Sequence, residues 1–150
     1  RIFLDGEDVS HEIRTPEVTA VTRYSADNVA VRRRLIELQR TAAAGQDIVT
    51  EGRDQGTLVF PDAECKIFLT ASAEERARRR QHDLAQRGVE LPLDEILSDQ
   101  FRRDREDESR DFGALRKADD AVEVNTDGLS IEEVVERIEA VVRNMRGRSS

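Results

Sequence analysis

Arginines, carboxylates and glycines fall together twice in this chain in patterns suited to gripping a phosphate. The first is Glu51-Gly52-Arg53-Asp54-Gln55-Gly56-Thr57, directly after the apolar run Ile48-Val49-Thr50. If that run is a strand, the loop lies at its carboxyl end, where open α/β sheets take their ligands. Arg53 can then hold a phosphate, and Asp54 can orient that arginine or meet a base or sugar. A tight turn held by an Arg–Asp pair explains the same residues. The second pattern is Arg103-x-x-x-Asp107-x-x-Arg110. On a helix these three share a face, and two arginines flanking one carboxylate can clamp a phosphate-bearing ligand and fix a polar base. A plain ladder of helical ion pairs has the same spacing.

Further arginines are weaker candidates. Arg76, Arg79 and Arg80 lie three and four apart, so they crowd one helical face where like charges repel. An anion between them or a solvated face would relieve this. Arg32, near the start of another helix, stands beside Arg33 and Arg34. Several motifs are absent from these residues. There is no G-x-x-x-x-G-K-[ST] loop of the kind that cradles nucleotide phosphates, no G-x-S-x-G elbow and no H-E-x-x-H. His11 and His82 are far apart, Cys65 is the sole cysteine, and no metal-ligand spacing appears. One cysteine cannot make an intrachain disulfide, and a reducing cytoplasmic setting is the expectation.

The elements that must carry these residues can be read from local signals. Arg1-Ile2-Phe3-Leu4 reads as the middle of a strand, and Asp5-Gly6 is a turn signal. Thr15 and Pro16 mark a helix start as cap and first helical residue. A helix is predicted from Val29 to Ala44, with Val31, Leu35 and Leu38 at helical spacing and Gly45 as its stop. Strands are predicted over 48–50, 66–69 and 121–124. Ser72 with Glu75, and Ser130 with Glu133, each spell a capping box. A charged helix is predicted over 93–107, with Ile96 and Leu97 able to pack. The run 102–110 reads as a surface helix laced with ion pairs or as a mobile lid. Ile131, Val134, Val135, Ile138, Val141 and Val142 form an amphipathic stripe, and the tail after Met145 is expected to fray.

Strands alternating with helices predict an α/β layer fold with a mostly parallel sheet. Three central strands are few for a complete doubly wound domain, and a strand-like start without Met suggests a truncated chain. The 150 residues allow one substantial core. The formal net charge is −8, and all basic residues except Lys66 and Lys117 are arginines. An acidic chain with clustered arginines points to local phosphate sites and away from a nucleic-acid surface. No apolar run approaches the roughly 20 residues of a membrane-spanning helix. Runs such as Ile67-Phe68-Leu69 argue against disorder throughout.

Taken in order, several segments resemble bacterial cytidylate kinases. They are Leu4-Asp5-Gly6-Glu7-Asp8-Val9-Ser10, Ile13-Arg14-Thr15-Pro16-Glu17-Val18, the stretch from Glu51 to Ala63, and Lys66-Ile67-Phe68-Leu69-Thr70-Ala71-Ser72. Glu74 to Arg80, Arg103-Asp104, Asp107, Arg110, Ala118 to Ala121 and Asp127 to Val135 continue the match. The resemblance implies a P-loop nucleoside-monophosphate kinase fold, three-layered with a parallel sheet and truncated at the N-terminus. Residues 1–45 would be the remainder of the CMP-binding region. Residues 46–150 would be the C-terminal part of the kinase core, with an Arg-rich lid at about 81–115.

The implied activity is transfer of the terminal phosphate of ATP, with Mg²⁺, to CMP or dCMP. The alternative is a non-catalytic nucleotide- or phosphate-binding fragment of the same fold. By resemblance Arg14, Arg32, Arg53, Asp54, Arg103, Asp107 and Arg110 bind substrate, with Arg53, Arg103 and Arg110 also catalytic. Arg79 and Arg80 approach ATP, and Arg76 and Arg79 have a structural reading as well. A cytoplasmic monomer with no nucleic-acid or membrane partner is implied, and the fragment alone is expected to be inactive. The sequence departs from the family pattern at Arg23, where Ser is usual, at Val29, where Pro is usual, and at Gly113-Ala114-Leu115, which replaces Ala-Pro-Leu. The last change is expected to loosen the turn after the lid.

Overall fold

The computed structural model describes residues 1–86 and 88–147. The tail expected to fray after Met145 falls partly on residues 148–150, which lie outside the described residues, as do Arg87 and the side chain of Arg23. The chain divides into two units, Arg1–Val49 and Thr50–Ser150.

In the first unit, strands β1 (Phe3–Leu4) and β2 (Glu7–Asp8) pair antiparallel, with Phe3 opposite Asp8. Asp5 and Gly6 both take positive φ, 51° and 90°. That is the left-handed pair a two-residue hairpin turn needs, and Asp-Gly tolerates it. A 3₁₀ turn, Glu12–Arg14, leads into α1 (Pro16–Ala26), where the Thr15 hydroxyl accepts from the Val18 N–H at 3.4 Å. Helix α2 (Val29–Ala43) begins at Asn28, whose side chain accepts from the N–H groups of Ala30 and Val31. Gly45, at φ +71°, follows its end. The buried residue of α2 is Ile36, while Val31, Leu35 and Leu38 are exposed.

The second unit begins without the strand expected at 48–50. Those residues are extended, yet no strand pairs with them among the described residues, and a strand exists only as part of a ladder. Next comes a single π turn, Gln55–Val59, in which the N–H of Val59 donates to the Asp54 carbonyl and that of Phe60 to Gln55. Strand β3 (Ile67–Thr70) then runs parallel to β4 (Val122–Asn125), with Ile67 opposite Val122 and Thr70 opposite Asn125. The parallel sheet is therefore two-stranded, where three strands were expected. Parallel neighbours need a crossover, and it consists of α3 (Ala73–Gln86) and α4 (Leu93–Glu108), which pack on each other.

Helix α5 (Ile131–Arg146) follows β4 and contacts it. Along its stripe Val134, Ile138, Val141 and Val142 are half-buried, and Ile131 and Val135 are exposed. The buried apolar residues of this unit are Val59, Ala77, Ile96, Ala114 and Val124, of which Val59 and Ala77 are wholly enclosed. Among the described residues no helix is long and apolar enough to cross a membrane.

The two capping boxes turn out differently. At α5 both halves form: the Ser130 hydroxyl accepts from the Glu133 N–H, and the Glu133 carboxylate accepts from the Ser130 N–H at 2.7 Å. At α3 the Ser72 hydroxyl accepts from the Glu75 N–H at 3.2 Å, but the Ser72 N–H donates to Asp127 at 2.7 Å. Glu75 is drawn away by Arg79. Ser130→Ala should lower the unfolding free energy by about 1 kcal/mol. Urea denaturation followed by far-UV circular dichroism reads this, and an unchanged midpoint would show that the box adds no stability.

Candidate functional site

The site is built around Asp107, in the last turn of α4. Its side chain is 9% exposed, which is costly for a carboxylate unless charged donors surround it. Two arginines do so. Arg53 Nε donates to Asp107 Oδ2, and Arg110 Nη2 lies 3.1 Å from Oδ1. Arg110 comes from three residues along, just beyond the helix end, and Arg53 from 54 residues upstream, on the loop before the π turn. The Asp107 carbonyl in turn accepts from the Leu115 N–H at 2.9 Å. That bond closes the return after α4, and Gly113 makes it at φ +74°. A left-handed turn favours glycine there. The Gly-Ala-Leu departure, expected to loosen this turn, instead fits an anchored one in which Ala114 is buried.

Asp54 is buried beside Arg53, and its carbonyl accepts from Leu58 and Val59, so the π turn holds the Arg53–Asp54 pair from its C-terminal side. Such turns recur at functional sites because the extra residue re-aims its neighbours. The far end of that segment is held by Lys66, whose side chain is 8% exposed. Its ammonium donates to the Pro61 carbonyl and to both oxygens of Asp120, at 2.9 and 2.7 Å. These bonds hold the Asp120 carboxyl below its usual value. The Lys66 stem passes Gly56 closely enough that a Cβ there would touch it at 3.4 Å. Sequence reasoning assigned no role to Lys66. Its one signal was that it is one of only two lysines in an arginine-rich chain.

A second pair lies one turn earlier on α4. Arg76 grips Asp104 with both Nη atoms, at 2.7 and 2.8 Å, and donates from Nε to the Ala71 carbonyl at 3.1 Å. Hydrogen bonds from Arg76, helped by Gln100 and by the charges of Arg76 and Arg53, hold the Asp104 carboxyl below its usual value against the opposing effect of burial. Arg79 donates to Glu75 at 3.0 Å and to the hydroxyl and carbonyl of Thr126 at 3.1 and 2.6 Å. Of the three crowded arginines, two are thus held by protein groups. Arg80 is exposed and makes no hydrogen bond or ion pair among the described residues, and the same holds for Arg103.

Arg53, Asp54, Asp107 and Arg110 therefore come together, with Arg103 one turn before Asp107 on the same helix. Arg14, at the end of the 3₁₀ turn, and Arg32, near the start of α2, belong to the first unit. The run 102–110 carries the helical pairs expected of it: Arg102 meets Asp99 at 3.0 Å and Glu106 at 3.2 Å. Cys65 precedes β3 and is half-buried, and burial pushes its thiol pKa up. Among the described residues no group of three or more His, Cys, Asp or Glu side chains is placed to hold a metal ion.

The sequence model of the family described as cytidylate kinase matches residues 1–144. The chain belongs to the cytidylate kinase family. It is 58% identical over 143 residues to a cytidylate kinase of Rhodopirellula baltica, covering 95% of this chain and 62% of that relative. To cytidylate kinases of Thermosipho melanesiensis and Geobacter sulfurreducens it is 50% and 48% identical, over 94% and 95% of this chain and 65% and 61% of theirs. The chain thus spans somewhat under two thirds of the length of these cytidylate kinases. The Arg53 loop, the Asp107 helix end and the Lys66 anchor all fall within the part that matches the cytidylate kinase family.

The Asp104 shift has a pH consequence. A carboxyl whose pKa is depressed on folding adds stability that is present above its unfolded value, about 3.9, and lost as pH falls through the folded one. Asp104→Asn should therefore flatten the acid limb of the stability–pH curve below about pH 4. Its slope between neutral and weakly alkaline pH should not change. Thermal melts across that range read this, and an acid limb as steep as the wild type's would contradict it.

Proposed function

We propose that the chain is part of an ATP-dependent kinase that passes the terminal phosphate of ATP to CMP or dCMP, giving CDP or dCDP. One observation carries the reading: Asp107 is bracketed by Arg53 and Arg110 in a chain of the cytidylate kinase family. Arg53, Arg110 and the exposed Arg103 carry three positive charges against the two carboxylates of Asp107 and Asp54. Phosphoryl transfer asks mainly for positioned positive charge and exclusion of water, so arginines oriented by a shared carboxylate suit it. Arg53 offers its Nη atoms to a phosphate while its Nε stays on Asp107. Asp54 and Asp107 meet the base or sugar, or hold the groups that do.

Arg14 and Arg32 are proposed as substrate ligands, and Arg79 and Arg80 as groups near ATP, from the resemblance alone. For Arg79 that would mean exchanging Thr126 for a nucleotide. Mg²⁺ would enter with ATP, held mainly by the nucleotide's phosphates and water. The wider reading is a three-layered P-loop kinase fold in a cytoplasmic monomer acting on free nucleotides, without a nucleic-acid or membrane partner. These 150 residues hold no G-x-x-x-x-G-K-[ST] loop, and by themselves they are expected not to turn over.

A coupled ADP-release assay with CMP and ATP tests this, using a protein that carries such a loop in frame with these residues. Arg53→Ala and Arg110→Ala should each lower kcat/KM by about a hundredfold or more, with the far-UV spectrum unchanged. Asp107→Ala should raise KM for CMP more than KM for ATP. Residues 1–150 alone should show no turnover. Near-normal rates in both arginine variants would end the assignment.

The segment 81–115 is proposed as the lid, closing when nucleotide phosphates neutralise its arginines. Hydrogen exchange over 88–115 should slow when CMP and ATP are both bound. Equal exchange with and without them would sink the closure.

A further inference from the structure

Arg53 approaches a helix that offers two carboxylates. Asp104 and Asp107 are three residues apart on α4, so they sit on one face with Cβ atoms about 5–6 Å apart. A guanidinium on a loop can turn to either, and the two choices aim its remaining donors differently. In the structure Arg53 is on Asp107, and every oxygen of Asp104 is already used. Asp104 Oδ1 accepts from Arg76 at 2.7 Å and from Gln100 at 3.1 Å, and Oδ2 accepts from Arg76 at 2.8 Å. Arg76 is itself fixed by its bond to the Ala71 carbonyl, just beyond β3. Both partners are only partly exposed, so their charges are weakly screened.

We infer that Arg76 is a positioning residue, whose fork occupies Asp104 and so leaves Asp107 as the carboxylate that Arg53 takes. Arg53, on Asp107 one turn away, is near enough for its charge to add slightly to the effects that hold the Asp104 carboxyl low. Without Arg76, Asp104 would be a half-buried anion held by the neutral Gln100 alone, one turn from Asp107, and Arg53 would be drawn to it. The Arg53 fork would then leave the geometry proposed for phosphate.

A simple clamp between α3 and α4 would use the same bonds, but it makes a different prediction. A clamp needs both partners alike. Masking needs Arg76 only while Asp104 carries its charge. The comparison is Arg76→Met, Asp104→Asn and the double variant, in a protein that carries the phosphate loop in frame. Two readouts are taken: kcat and KM for CMP, and the NMR resonance of the Arg53 Nε–H without nucleotide. The kinetic readout rests on the kinase reading, and the NMR readout does not.

Arg76→Met should lower kcat/KM for CMP about tenfold and move the Arg53 resonance toward that of an exposed arginine. Asp104→Asn should stay within about twofold of wild type, and the double variant should recover to within about threefold, with the Arg53 resonance restored. Where Arg76→Met does not fold, Arg76→Gln takes its place in both backgrounds. Asp104→Asn as damaging as Arg76→Met, or a double variant no better than Arg76→Met, overturns the inference. A wild-type protein without CMP-dependent turnover overturns the kinase reading alone, and the Arg53 resonance then decides whether Arg76 positions it.

Discussion

Removing a carboxylate from water without partners costs several kcal/mol, and Asp107 is nine-tenths removed. Its two arginine partners therefore constrain much of the second unit. Arg110 must return over the helix end, which fixes the turn through Gly113 and the bond from Leu115. Arg53 must arrive from a loop 54 residues upstream, which fixes where the π turn has to lie. Lys66 then secures the far end of that loop to the turn before β4. One buried charge thus links a helix terminus, a loop and the approach to the sheet.

Local signals in the sequence were the most legible. Asp5-Gly6, Thr15-Pro16 and Ser130 with Glu133 each act within a few residues, and each forms as read. The Arg53-Asp54 loop and the Asp107–Arg110 spacing were also visible as local patterns, but the pairing of Arg53 with Asp107, 54 residues away, was not. Features that depend on distant neighbours were not legible. Ile48-Val49-Thr50 has the composition of a strand but no paired neighbour among the described residues. Glu75 has the spacing of a capping box, yet Arg79 competes for it and Asp127 takes its place. In α2 the apolar spacing singled out Val31, Leu35 and Leu38, whereas packing buries Ile36. The role of Lys66 depends on Pro61 and Asp120, which no local pattern connects to it.

Charge acts here on two length scales. The chain as a whole is acidic, at −8, and at a distance it should repel anions. At physiological ionic strength that field fades over about 8 Å. Inside that distance individual pairs decide, and at Asp107 two arginines, Arg53 and Arg110, share one carboxylate. Many of the acids that produce the net charge are engaged with arginines elsewhere, as in Arg76–Asp104, Arg79–Glu75 and Arg102–Glu106. Those pairs are neutral as units, so the Arg53 and Arg110 charges act locally within an acidic protein.

The register of the parallel ladder has a further consequence. Each pair of β3 and β4 joins residues 55 apart, as Ile67 with Val122. Ser72 with Asp127 spans 55 residues, Lys66 with Asp120 spans 54, and Arg79 with Thr126 spans 47. Bringing the ends of such a stretch together costs roughly 3.5 kcal/mol of chain entropy plus a constant, by the logarithmic closure law. All four interactions close nearly the same loop, so that loss falls on whichever forms first and the others follow almost without it. The ladder, the cap on α3, the lysine anchor and the Thr126 contact should therefore assemble and come apart as one cooperative unit.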